Sequence, residues 1–142
     1  MIKGIIYDMD DIMINSYPLY AKATEVALNE FGHTLEEIPR EIQAHFIGRR
    51  TEDVMKEIVD YLKIKVEEKI LINKRYEIFY SLIKEELTIM PGLIKSLDLF
   101  KKENFNLAIG SSATKYYVKL VLNKFNLGNY FEVMVTGDQV KK

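Results

Sequence analysis

The sequence has no cysteine, which excludes a disulfide framework, a thiolate metal site and a thiol nucleophile, and fits a reducing cytosol. It also lacks an excess of either charge. Twenty basic residues against 21 acidic ones leave a formal net charge of −1, so no global field favours nucleic acid or an anionic membrane, and any phosphate binding has to be local. No apolar run reaches the roughly 18 residues of a membrane span. The apolar stretch after Lys3 is broken at Asp8, too early for a signal-peptide core. The expectation is a soluble, cytoplasmic chain with no nucleic-acid or membrane partner. Internal repeats, low-complexity tracts and linkers are absent, and charge runs such as Lys101–Glu103 read as solvated helix ends. What is present is 142 residues with 48% hydrophobic content, enough for one globular domain with a real core.

The stretch IKGIIY (Ile2–Tyr7) is β-branched and almost continuously apolar, which predicts a strand buried on both faces of a parallel sheet. Directly behind it, Asp8, Asp10 and Asp11 fall within four residues. Like charges at contact distance repel and raise each other's pKa, so something positive belongs there. From about Ser16 to Phe31, apolar residues at Leu19, Ala23, Val26, Ala27 and Phe31 follow helical spacing up to Gly32. In HTLEEIPREIQAHF (His33–Phe46), Thr34 followed by Glu37 is a capping-box signal, and Pro39 suits a first helical turn; a short helix is predicted. Helical periods continue from Thr51 to Leu62 and from about Val66 to Leu87. That makes four helices before residue 88.

The pattern changes from Thr88 onward. Pro91-Gly92 breaks the chain, Leu93–Glu103 reads as a helix, and Phe105–Ile109 as a strand ending in Gly-Ser-Ser. Thr114–Phe125 reads as a helix stopped near Gly128, and Phe131–Thr136 as a further strand. Strands alternating with helices imply right-handed crossovers and a parallel α/β sheet, Rossmann-like in class. The expected organisation is an α/β core from residues 1–15 and 88–142, interrupted after its first strand by a helical insert at 16–87.

In such a sheet the ligand site lies beyond the carboxyl ends of the strands. The first strand delivers Asp8 and Asp10 there, and their i, i+2 spacing projects them to one side. The second delivers Ser111 and Ser112. One carboxylate can attack phosphorus to form an aspartyl-phosphate while the other, with a raised pKa, protonates the leaving oxygen. A negative substrate beside two carboxylates calls for a cation, and hard oxygen ligands suit Mg²⁺. The Gly110-Ser111-Ser112 turn opens a helix whose amides and hydroxyls can hold phosphate oxygens. Alone, a serine-rich turn is more often a helix cap, and an isolated Asp-x-Asp a solvated turn. Their conjunction at two parallel strand ends favours the functional reading.

These residues resemble the haloacid dehalogenase superfamily, in its phosphatase and phosphomutase branch with a helical cap after the first strand. YDMDDIMINSYPLY (Tyr7–Tyr20) resembles that branch's first motif, Asp-x-Asp-Gly-(Val/Thr)-Leu-x-Asp-Ser. LAIGSSA (Leu107–Ala113) resembles the second, MPG (Met90–Gly92) the re-entry from cap to core, and TGDQVKK (Thr136–Lys142) the approach to the third. The resemblance implies that Asp8 is the nucleophile, Asp10 the acid and base, and Ser111 a phosphate ligand. It also implies that Mg²⁺ is held by the Asp8 carboxylate and the Asp10 backbone carbonyl. Dehalogenases proper lack the second Asp, so phosphoryl transfer is favoured.

The sequence departs from the family pattern at Asp11, where the pattern has Gly and a positive φ is expected, at Asn15 in place of Asp, and at Tyr20 in place of a frequent His. The family's catalytic Lys and later acidic pair have no counterpart; Lys141 and Lys142 align before that Lys and are not assigned its role. The chain is expected to be a shortened form, about the first two-thirds of such a domain. The free edge of its first strand would then be a template for pairing, aggregation or oligomerisation.

In the insert, GRRTED (Gly48–Asp53) resembles the cap loop that faces the active site in this branch. Arg49 and Arg50 are candidate clamps for a substrate's distal groups, with an ordinary exposed loop as the alternative. His33 and His45 are isolated and given no role, and Tyr76, Phe79 and Tyr80 at helical spacing read as core. The function expected from all this is a Mg²⁺-dependent phosphatase of a small phosphorylated metabolite such as a sugar phosphate, working through Asp8. The alternatives are a phosphosugar mutase and a catalytically silent metal- or phosphate-binding fragment. A response-regulator receiver also puts carboxylates after its first strand, but the long helical insert argues against it.

Overall fold

A computed structural model describes residues 3–140; Ile2 of the predicted first strand, and Lys141 and Lys142, lie outside the described residues. In chain order the elements are strand β1 (Gly4–Tyr7), helix α1 (Tyr17–Asn29), a one-turn 3-10 helix (Leu35–Glu37), α2 (Arg40–Ala44), α3 (Thr51–Leu62) and α4 (Glu68–Glu86). There follow α5 (Leu93–Lys102), β2 (Asn106–Ser111), α6 (Lys115–Lys124), a second 3-10 turn (Gly128–Tyr130) and β3 (Val133–Thr136). The chain divides into two compact units: one from the residues up to Tyr17 and those from Glu86 onward, the other Pro18–Glu85. No helix among the described residues is long and apolar enough to cross a membrane.

The first unit is a parallel sheet in the order β1-β2-β3. Ile6 pairs with Ala108, and Ala108 with Val133. Both connections step the same way across the sheet, so right-handed crossovers put α5 and α6 on one face. That face is the dry one: Leu107, Ile109 and Thr136 are buried there, with Leu93 and Leu97 from α5 and Tyr117, Val118 and Val121 from α6. The opposite face is open, with Ile6 75%, Val133 55% and Val135 45% exposed. The expectation of a first strand buried on both faces is therefore corrected. Its apolar sequence is that of a two-sided strand, but among the described residues only one side is covered.

The second unit is helical. Ala27, Leu28, Ile38, Met55, Ile58, Ile64 and Leu71 form its core, and Phe79 stacks on Tyr20 with ring centroids 4.3 Å apart, so the aromatic spacing of α4 does supply packing. The short helix expected at 33–46 splits in two. The Thr34 amide donates to Glu37 Oε1 at 2.6 Å to start the 3-10 turn, and Pro39, which has no N–H to continue it, restarts the chain as α2. α3 ends at Lys63 in the left-handed conformation.

Candidate active site

β1 runs directly into Asp8, and the loop behind it is fixed by what it buries. Met9, Met13 and Ile14 have no exposed surface. The Met13 amide donates to the Met9 carbonyl at 2.9 Å and the Asp11 amide to the Ile14 carbonyl at 2.8 Å. The Asn15 amide reaches the Thr88 carbonyl at 3.0 Å, and the Met90 amide reaches the Met13 carbonyl at 2.9 Å. An acidic loop is thus held in shape by apolar anchors and by the strand-like segment at 88–90.

Within it the three aspartates have different surroundings. Asp8 is exposed, and its Oδ1 accepts from the Met9 amide at 2.8 Å. Asp10 is half-buried, and its Oδ1 accepts from the Tyr117 phenol at 2.7 Å. Burial pushes the Asp10 carboxyl above the ordinary aspartate range; the Ser16 hydroxyl and Tyr117 phenol oppose this, and the Asp11 and Asp8 charges reinforce it. Asp11 has φ of 59°, the left-handed conformation expected where the family pattern has Gly. Its carboxylate accepts from the Tyr17 amide at 2.9 Å and from the buried Ser16 hydroxyl at 3.4 Å, so it caps the positive start of α1.

The register sets Tyr7 opposite Ile109, so Asp8 emerges beside the Gly110–Ser111 end of β2. There the Ser111 hydroxyl accepts from the Ala113 amide at 3.1 Å. The Lys115 amide that opens α6 donates to the Asp138 carboxylate at 3.1 and 3.2 Å. Two backbone amides of this turn, those of Ala113 and Lys115, are thus already engaged. The Thr136 hydroxyl donates to Asp138 at 2.6 Å and holds that carboxyl below its usual range. Gly137 presses on the same turn: its amide donates to the Ala113 carbonyl at 2.8 Å, and a Cβ there would lie 2.0 Å from the Ser112 carbonyl oxygen.

Tyr117, Gly137 and Asp138 were not singled out from sequence. A helix tyrosine looks like core, and Tyr117 is indeed buried; its pairing with Asp10 spans 107 positions and leaves no local trace. Gly137 had a local signal, a glycine where β3 ends.

In the helical unit, Arg49 Nη1 is paired with Glu57 Oε2 at 2.5 Å. Arg50 is exposed at the N-cap of α3. His33 Nδ1 meets Glu37 at 3.1 Å on the surface, and His45 sits at the C-cap of α2. Among the described residues no three carboxylate, histidine or cysteine groups converge as a metal cage. The donors at the β1 end are all hard oxygens, which fits Mg²⁺, an ion usually held by one or two carboxylates with water and phosphate oxygens completing its shell.

The chain thus combines a parallel α/β unit, a helical insert after its first strand and two differently buried carboxylates at that strand's end. The family model for haloacid dehalogenase-like hydrolases matches residues 5–142, and the chain belongs to that family. It is 27% identical to a phosphorylated carbohydrates phosphatase of Thermotoga maritima over 98% of its length and 63% of that protein's. It is 28% identical to a phosphoglycolate phosphatase of Aquifex aeolicus, over 96% of this chain and 61% of the relative. A crystal structure of beta-phosphoglucomutase from Clostridium difficile shares the fold, with a TM-score of 0.76 at 18% identity, over the whole of this chain and 65% of that one. The chain therefore spans less than two-thirds of the length of each of these three proteins.

Proposed function

We propose that the chain carries the nucleophile and the acid/base of a Mg²⁺-dependent phosphatase acting on a small phosphorylated metabolite, such as a sugar phosphate, with Asp8 as the group that is phosphorylated. One observation carries the reading. Two carboxylates two residues apart have different environments: Asp8 is exposed and Asp10 is half-buried, hydrogen-bonded to Tyr117 and raised in pKa. Environments that separate two titratable groups separate their roles.

In the first half-reaction an Asp8 carboxylate oxygen attacks phosphorus, the bond from phosphorus to the ester oxygen breaks, and the proton of the Asp10 carboxyl passes to the leaving oxygen. In the second, the Asp10 carboxylate takes a proton from water, whose oxygen attacks the same phosphorus. Inorganic phosphate leaves, and both carboxyls return to their starting state. Ser111 and Ser112 orient the phosphoryl oxygens through their hydroxyls. The Asp8 carboxylate and the Asp10 backbone carbonyl would hold Mg²⁺, which supplies positive charge against the phosphoryl oxygens. A chain without cysteine suits the reducing cytoplasm.

The test is Mg²⁺-dependent phosphate release from a panel of small phosphate esters by the chain and by its Asp8→Asn variant. Removing the nucleophile should lower the rate by roughly three powers of ten or more, about 4 kcal/mol of barrier. Hydrolysis that survives the substitution, or none by the parent chain, would overturn the assignment.

A further inference from the structure

Tyr117 is a buried ring in the first turn of α6, at 3% exposure, and its hydroxyl is aimed at one atom: it donates to Asp10 Oδ1 at 2.7 Å. Both residues belong to the same compact unit. The backbone on each side of the bond is fixed. The Tyr117 amide donates to the Thr114 hydroxyl that caps α6, at 3.4 Å, and Val118 and Val121 of that helix have no exposed surface. Asp10 sits in an isolated bridge with Ile14, between the fully buried Met9 and Met13. A phenylalanine would bury the same ring at this position, whereas a buried hydroxyl is costly unless it has a partner. The hydroxyl of Tyr117 is therefore explained by what it holds.

The chemistry of the bond decides which oxygen of Asp10 can work. A carboxylic acid has one O–H and keeps acceptor capacity on its other oxygen, and a phenol has one proton to donate. With that proton directed at Oδ1, a second proton on Oδ1 would oppose it, so the acid proton belongs on Oδ2. The bond also outlasts the transfer. A phenol that donates to the carbonyl oxygen of the acid donates more strongly to the same oxygen of the carboxylate, so Asp10 keeps its orientation in both of its states.

We infer that Tyr117 is a positioning residue for the phosphatase reaction: it holds Asp10 by Oδ1, so that Oδ2 carries the proton handed to the leaving oxygen. The inference rests on the phosphatase reading above and deepens it. As the bond from phosphorus to the ester oxygen breaks, its electron pair stays on the leaving oxygen, which takes the proton from Oδ2. Asp10 is left as a carboxylate and the phenol is unchanged; Tyr117 lends orientation and no proton. The same bond then holds the carboxylate while it takes a proton from the attacking water.

The experiment compares kcat/KM, which covers the first half-reaction, for p-nitrophenyl phosphate, phenyl phosphate and glycerol 3-phosphate with the whole chain. Along that series the leaving oxygen depends increasingly on an acid. Tyr117→Phe should lower the value by about 10-fold on glycerol 3-phosphate but only about 2-fold on p-nitrophenyl phosphate. Asp10→Asn should show the same order with larger losses, about 100-fold or more on glycerol 3-phosphate. Adding Tyr117→Phe to Asp10→Asn should lower it by less than about 2-fold further, because the phenol acts through the carboxyl. Each ratio compares esters on one preparation and so does not depend on how much of the variant folds; Tyr117→Met, which also lacks the hydroxyl, takes the place of Tyr117→Phe if that variant does not fold at all. Equal losses on the three esters, or an undiminished loss in the Asp10→Asn background, would overturn the role of Tyr117 and leave that of Asp8 standing. No hydrolysis by the parent chain, or hydrolysis that survives Asp8→Asn, would overturn the phosphatase reading and the role of Tyr117 with it.

Discussion

Gly137 joins the end of β3 to the serine turn, and replacing it with Ala tests whether that junction positions the site. The added methyl would sit 2.0 Å from the Ser112 carbonyl oxygen, 2.7 Å from its carbon and 3.2 Å from its Cα. An ordinary carbon–oxygen approach is about 3.3–3.6 Å, so two backbone segments have to separate by more than about 1 Å. No flexible side chain can absorb the shift. Overpacking of this kind costs about 1–3 kcal/mol, and the Gly137 amide bond to the Ala113 carbonyl adds about 1 kcal/mol when lost. We expect Gly137→Ala to destabilise the chain by about 2–4 kcal/mol in urea unfolding followed by circular dichroism. Where the variant still folds, phosphate-ester hydrolysis should fall by about 100-fold, the effect of a 1 Å misplacement. Gly128→Ala is the control. A Cβ there meets nothing within 4 Å, and its effect should stay within about 0.5 kcal/mol. If the two variants unfold at the same urea concentration, the close approach of Gly137 to Ser112 does not constrain this fold.

Asp11 offers a ranking. Asp11→Asn keeps the short side chain that tolerates the left-handed backbone and should cost only about 0.5 kcal/mol. Asp11→Gly relieves the φ but loses the bonds to Tyr17 and Ser16 and should cost about 1 kcal/mol. Asp11→Ala does both harms and should cost about 2 kcal/mol; chemical denaturation orders them, and a Gly variant as stable as the parent would refute the capping role. For Asp10 the folded-state pKa is raised, chiefly by burial. Between the unfolded and folded values the folded chain therefore holds a proton that the unfolded chain has released, and stability falls as pH rises through that window. In metal-free buffer the stability of Asp10→Asn relative to the parent should accordingly grow as pH rises from the ordinary aspartate range of about 4 through the raised folded-state value, and a constant difference would contradict the raised pKa. Tyr117→Phe removes the phenol that donates to Asp10 and should lower hydrolysis about 10-fold with little change in KM, measured by steady-state kinetics.

Local patterns in the sequence were enough to read the strands and longer helices, because each element's period is written in consecutive residues. Thr51–Leu62 was placed to the residue, and β2 runs two residues further than expected, into Ser111. The helix expected over 33–46 failed at Pro39, where a missing amide outweighs helical spacing. The open face of β1 was illegible for a different reason. An apolar run says what a strand can be covered by, whereas coverage depends on which way each crossover steps. The candidate site is legible in the same uneven way. The two aspartates and the serine turn show as local motifs at strand ends. Asp10 with Tyr117, and Lys115 with Asp138, are meetings between distant segments, and nothing in either segment alone announces them.

The pairing of β1 with β2 also sets a timetable for synthesis. Ile6 waits for Ala108, about a hundred residues later, and at roughly 5–20 residues per second the ribosome needs about 5–20 s to deliver it. Pro18–Glu85 is one unbroken stretch and can complete its core in that interval, whereas β1 has no partner until β2 has left the exit tunnel. The helical unit is thus the early-folding part of the chain. The acidic loop that carries Asp8 and Asp10 takes its final form only once Thr88, Met90 and the second strand have arrived.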